Sequence, residues 1–244
     1  MTNPWLKYSP KSKTTVHQDD LEVFNRVNAR LKNLTKLSDN NVALPYFGNP
    51  KANVVLLYAN PGLDLEKTKL EETPKLKLIF DAARKHKKTG KHSFVFLLEE
   101  FKGTPGYNWW KQTLGSISEL EGYNEQKFLN NIFSVEIHPY KSVKYGALRV
   151  KNNEVFPTTA YSYSLVAKAM ERGALILIAR AQKEWFEAVP GLQKYKNVIY
   201  LSSAQQSKIS PNNTILDRKA KDKVKSKREA WALLVKALNK APRV

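Results

Sequence analysis

Apolar residues recur along the chain with two spacings. In residues 19–37, Leu21, Phe24, Val27, Leu31 and Leu34 fall three or four apart, which predicts an amphipathic helix. Residues 53–59 (NVVLLYA), 131–137 (NIFSVEI), 174–179 (ALILIA) and 197–201 (NVIYL) are instead short continuous apolar runs, as buried strands are. Helical material is predicted between and around them, at 73–87, 107–120, 158–172, through Trp185 and Phe186, and in a long basic stretch over 217–240. Residues 92–98 fit a strand or a buried helical turn equally. Strands separated by helices predict an α/β fold of three layers, α/β/α, with a four-stranded, mainly parallel sheet. No repeat or linker divides the chain, so 1–244 is expected to be a single domain. Residues 1–43 form its N-terminal helical lead-in, and 217–244 a basic C-terminal helix packed on it.

In such sheets ligands bind beyond the carboxyl ends of the strands. The segments there are Asn60-Pro61-Gly62-Leu63, His138-Pro139-Tyr140-Lys141-Ser142, Arg180-Ala181 and the Ser-, Gln- and Asn-rich stretch 202–214. Charge then suggests a partner. The 41 Lys and Arg against 22 Asp and Glu leave a net +19, which favours a polyanion and above all DNA. Cysteine is absent, which excludes disulfides, thiolate nucleophiles and cysteine-held metal sites. Neither a GxGxxG nor a GxxxxGKS phosphate loop occurs, so a nucleotide-binding α/β enzyme ranks last. No cofactor or metal is called for. The apolar runs are too short to cross a bilayer and no signal core opens the chain, so a cytoplasmic, intracellular monomer is expected, without membrane partners.

The strand-then-loop Val54-Val55-Leu56-Leu57-Tyr58-Ala59-Asn60-Pro61-Gly62-Leu63 resembles the first motif of the uracil-DNA glycosylase superfamily, and most of all its mismatch-specific, Asn-Pro-Gly branch. The resemblance implies a DNA glycosylase that flips a pyrimidine-type base and hydrolyses its bond to the sugar, leaving an abasic site. It places the water-holding residue at Asn60. Asp64, four residues on, is a reserve carboxylate. Where the uracil-specific branch carries a tyrosine that closes the pocket beside the pyrimidine's fifth carbon, this chain has Gly62, so a substituent there is admitted. The strand over 131–137 would present the reader of the base edge. Glu136 and His138, two apart, are expected on one face, and a carboxylate at 136 favours a cytosine-like base. Tyr46 and Phe47 are candidates to stack on it.

The second motif of the family, a loop entering the minor groove, has its place taken by 202–211, without the usual His-Pro-Ser or Asn-Pro-Ser. Ser203, Gln205, Gln206, Ser207 and Lys208 are the expected contacts there. Lys221, Lys223 and Lys225 would track phosphates while Trp231, Leu233, Leu234 and Leu238 anchor their helix. Plainer roles stand beside these: a strand-ending turn at Asn60, a surface ion pair for Glu136, a structural His138, a solvated lysine face. Two further functions compete with excision of a C5-modified base of phage DNA in host defence. They are repair of uracil or mismatches, and nucleic-acid binding without catalysis.

Overall fold

The computed structural model describes residues 1–8, 14–203 and 205–241. Along the chain run α1 (Leu21–Arg30), β1 (Tyr46–Gly48), β2 (Val54–Tyr58), α2 (Pro74–Arg84), α3 (Pro105–Thr113), α4 (Gly115–Ser118), α5 (Glu125–Leu129), β3 (Ile132–Glu136), α6 (Thr159–Glu171), β4 (Leu175–Ile178), α7 (Gln182–Ala188), β5 (Val198–Leu201), β6 (Thr214–Ile215) and α8 (Lys223–Asn239). Local chemistry sets several starts. Thr73 and Thr104 accept from the N–H three residues on, each followed by a proline at the first helical position, and Asn124 and Asp222 cap α5 and α8 likewise. The predicted helix over 19–37 stops at Arg30 instead. Leu31 is extended, and the Asn28 side chain both donates to the Leu37 carbonyl and accepts from the Leu37 N–H, which folds the chain back on the helix.

Among the described residues the sheet has six strands, in the order β1-β3-β2-β4-β5-β6. The inner four pair in parallel, while β1 and β6 add antiparallel edges, so the sheet is mixed and two strands wider than expected. The edge strands span three residues and two residues, too few to show a period in sequence. Gly48 is needed at the first. Its φ is +98°, and a Cβ there would meet the Ile132 carbonyl oxygen at 2.4 Å.

Both faces of the sheet are covered, which is why the inner strands are apolar on both faces apart from Ser134 and Glu136 of β3. Val55, Leu57, Phe133, Val135, Ile176 and Ile178 pack under α1, α6, α7 and the buried Trp5. Val54, Leu56, Tyr58, Ile132, Leu177 and Ile199 pack under α2, α3 and α8. Two buried asparagines orient the last helix. Asn131 Nδ2 donates to the carbonyls of Ala237, Leu238 and Lys240, and Asn53 Nδ2 to that of Ala241. Ala237 and Leu238 belong to the last turn, where carbonyls run short of helical partners, and Lys240 and Ala241 follow it. Asn53 and Asn131 sit at the amino ends of β2 and β3, so the C-terminus of α8 lies at the amino edge of the sheet, while its first turn is tied to the residues after β6 through Ser226, which bonds the N–H groups of Leu216 and Asp217.

Candidate functional site at the carboxyl edge of the sheet

The exits of β2 and β3 are zipped together. Ser142 donates its N–H to the Pro61 carbonyl, Leu63 donates to the Ser142 carbonyl, and Gly62 forms a bridge with Ser142. Asn60 is fixed within this zipper. Its Nδ2 lies 3.1 Å from the Tyr140 carbonyl, 3.2 Å from that of Pro61 and 2.8 Å from Ser142 Oγ. Two of these partners are carbonyls, which only accept, and the Ser142 hydroxyl donates to the Lys144 carbonyl. The amide nitrogen must therefore face them, and Oδ1 points the other way with no partner among the described residues. Tyr140 and Lys141 hold the supporting segment in turn. The Tyr140 hydroxyl donates to buried Asp20, which also accepts from the N–H and Oγ of Thr158. Lys141, buried, places Nζ 2.8 Å from Glu71 Oε2 and 4.0 Å from Glu72 Oε1.

Beside Asn60, on the α2–α3–α8 face, Tyr58 and Glu136 stand opposite each other in register across β2 and β3. The Tyr58 ring meets Trp109 and Trp110 of α3 edge-on. Glu136 is buried, with Oε2 unpartnered, and burial pushes its carboxyl up to about 8; Arg180, exposed at the β4 exit, offsets this only in part. A surface ion pair is thus not its role. Gly62 is exposed, its φ lies outside the left-handed region, and a Cβ there would meet nothing within 4 Å. The glycine is not required by the backbone; what it leaves is open space.

Other expected residues lie elsewhere. Tyr46 and Phe47 are core, not stacking platforms. Tyr46 stacks on His86 and donates to the Arg84 carbonyl, and Phe47 is enclosed by Phe94, Phe96 and Trp110. Glu136 and His138 do not share a face, because β3 ends at Glu136 and the alternation ends with it. His138 packs on the opposite side, against Tyr145 and Phe156, with both ring nitrogens buried and unpartnered, and burial pulls it down to about 3. Asp64 is exposed and caps a turn, its Oδ1 accepting from the N–H groups of Glu66 and Lys67. A cleft of about 570 Å³ between residues 147–152 and α7 carries none of these groups.

The loop after β5 is organised by Asn213, which sequence reasoning passed over. Buried, it accepts from Ser202 Oγ and the Ser203 N–H and donates to the carbonyls of Gln206 and Lys208. Ile209 is buried and its N–H bonds the Thr113 carbonyl, which ties the loop to α3 and the tryptophan wall. Gln205, Gln206 and Lys208 are exposed and Ser203 and Ser207 half-buried; Ala204 lies outside the described residues. Lys221, Lys223 and Lys225 are exposed around the start of α8. Leu234 and Leu238 anchor that helix and Trp231 packs at its margin, but Leu233 is 41% exposed and does not. Arg218 is structural: it bonds the Leu201 carbonyl and Gln182 and lies over Tyr200.

No family model, curated protein or solved structure matches this chain. Among the described residues no helix is long and apolar enough to cross a membrane, and no group of three His, Cys, Asp or Glu is disposed to hold a metal ion. Ser142, Arg180 and Asn213 lie in the strand-end segments that the sequence marks, and the structure supplies their individual partners: Ser142 the Asn60 amide, Arg180 the neighbourhood of Glu136, and Asn213 the loop around itself.

Proposed function

We propose that this protein is a monofunctional DNA glycosylase with a fold of the uracil-DNA glycosylase kind. It flips a pyrimidine out of DNA and hydrolyses its bond to the sugar. The observation that carries the proposal is the pinned amide of Asn60: three acceptors take its nitrogen and leave Oδ1 free, at the carboxyl end of an inner parallel strand. The four inner parallel strands support the fold assignment.

In the reaction the C1′–N1 bond breaks and the base leaves with the electron pair. The sugar becomes oxocarbenium-like, and a water adds to C1′ and loses a proton to solvent. Asn60 Oδ1 accepts a hydrogen bond from that water and orients it; being neutral, it contributes position rather than basicity. The open space at Gly62 favours a pyrimidine substituted at its fifth carbon, such as a modified cytosine of phage DNA, and so a role in host defence. Exposed lysines around the start of α8 supply phosphate contacts.

The test is incubation with duplexes bearing uracil, a thymine mismatch or glycosylated hydroxymethylcytosine, followed by alkali and heat. Breaks at one base identify the enzyme and its substrate, and Asn60→Ala should abolish them while leaving duplex affinity nearly intact. Breaks at uracil or the mismatch alone would indicate repair. Binding without breaks would refute catalysis and leave a DNA-binding protein.

A further inference from the structure

The turn that follows the Asn60 zipper presents a leucine to solvent. Leu65 is 67% exposed, two residues after Leu63, whose N–H closes the zipper on the Ser142 carbonyl. Its turn is braced. Asp64 Oδ1 accepts from the N–H groups of Glu66 and Lys67, the Asp64 N–H donates to Thr68 Oγ1, and the Thr68 N–H returns to the Asp64 carbonyl. Thr68 is buried, which anchors the turn to the body of the protein. A single exposed leucine on a surface is ordinary, but one held at the tip of a hydrogen-bonded turn beside a candidate site is placed for contact. The exposed charges around it, Asp64 and Glu66 against Lys67 and Lys69, cancel, so what this turn offers a partner is its apolar tip. The loop after β5 offers no comparable group. Its exposed side chains are those of Gln205, Gln206, Lys208 and Pro211, and its one large aliphatic residue, Ile209, is buried.

We propose that Leu65 enters the base stack of duplex DNA and fills the gap that the flipped nucleotide leaves, so that the substrate is a base in a paired duplex rather than in a single strand. This rests on the glycosylase proposal above. Flipping costs the stacking and pairing of the extruded base. An apolar side chain that slips between the neighbouring base pairs offsets part of that cost by burying its own surface. Leucine suits the gap because it carries no donor or acceptor that the stack would leave unpaired. Chain length sets the reach. The five residues from Asn60 to Leu65 span at most about 17 Å, or roughly five base steps at about 3.4 Å each, so both residues meet the same short stretch of DNA. The braces on the turn serve the same end, since a side chain on an already ordered backbone loses less freedom when it binds. In a single strand there is no stack of pairs to hold open, and Leu65 has nothing to fill.

The experiment compares the parent with Leu65→Ala, Leu65→Phe and, as a control, Leu78→Ala, which removes a similarly exposed leucine from α2. Each protein, in excess, is given uracil or glycosylated hydroxymethylcytosine in a duplex and in the corresponding single strand, and the rate of excision is measured. Leu65→Ala should lower excision from the duplex about 10- to 100-fold, the worth of one buried leucine, and leave the single strand within about twofold. Leu65→Phe should keep most of the duplex activity and Leu78→Ala all of it. No variant should melt lower than the parent, since both leucines are exposed. Unstacking is read separately from 2-aminopurine placed next to the target base: its fluorescence should rise when the parent binds the duplex and stay low with Leu65→Ala. A parent that prefers the single strand, equal losses on the two substrates, or an unchanged duplex rate in Leu65→Ala overturns the wedge. If the parent excises nothing, the glycosylase proposal falls separately and the wedge is judged by 2-aminopurine alone. A rise that Leu65→Ala abolishes supports it; no rise, or one that the variant keeps, overturns it.

Discussion

Lys141→Met tests the support beneath Asn60. Lys141 is 2% exposed and Glu71 4%, and their charges meet at 2.8 Å. Methionine keeps most of the side chain's length and removes its charge. Glu71 is then left buried, with only the Gly106 N–H donating to its Oε1. Breaking one side of a buried pair costs about 3–5 kcal/mol, because the remaining charge has no compensation. For a chain of this size each kcal/mol lowers Tm by about 2–4 °C, so the variant should melt roughly 6–20 °C below the parent at neutral pH. Calorimetry or circular dichroism reads this directly. The double variant Lys141→Met with Glu71→Gln keeps the acceptor for Gly106 and removes the stranded charge, so it should recover most of the loss. A single variant within about 1 kcal/mol of the parent, or a double variant no better than the single, would refute the account of Lys141 as the counter-charge.

Four other outcomes are expected. Glu136→Gln should stabilise the protein by on the order of 3 kcal/mol at neutral pH. The native carboxyl holds its proton to about 8 while the unfolded one loses it near 4.5, so parent stability falls as pH rises between those values; the gain should vanish below them, and denaturant melts across pH check this. Ser142→Ala removes one of three acceptors from the Asn60 amide and should lower kcat about tenfold with duplex affinity unchanged; a parental kcat would mean that the two backbone carbonyls suffice. Gly62→Tyr should leave the stability within about 0.5 kcal/mol of the parent's, as neither φ nor space resists a side chain, while excision of a bulky C5-modified base falls far more than that of uracil. Neutralising Lys221, Lys223 and Lys225 together should flatten the salt dependence of duplex binding by up to about 3 in logarithmic slope; an unchanged slope would make them a solvated face.

The inner strands were legible because continuous β-branched runs flanked by turns have few alternatives, and the asparagine at 60 followed from its place after one of them. What escaped was set by long-range contacts. Tyr46 and Phe47 lie in a turn-rich stretch, and only pairing with β3 makes them a strand and buries both rings. The face of His138 depended on whether β3 continued past Glu136, and Pro139 ends the regular geometry that period-two arguments need. A carboxylate at 136 looked ionised in sequence because its enclosure by the second core cannot be seen there. Asn131 read as the first residue of a strand, yet it spends its amide on carbonyls at the end of α8, more than a hundred residues on; Asn213 read as an ordinary loop residue, yet its amide shapes the whole of that loop.

The asparagine clasp also fixes when the sheet can close during synthesis. Asn53 Nδ2 bonds a carbonyl 188 residues further along, and the α2–α3–α8 face of β2 and β4 is not fully covered until α8 exists. At about 5–20 residues per second that interval lasts roughly 10–40 s. Once Leu177 has been made, for the last roughly 3–13 s of that interval, Leu56 and Leu177 border an apolar groove with its final helix missing, a state open to holdase chaperones and to pairing with other nascent chains. Translation speed over residues 53–241 is therefore a variable in the yield of folded protein, and slowing it lengthens the exposure.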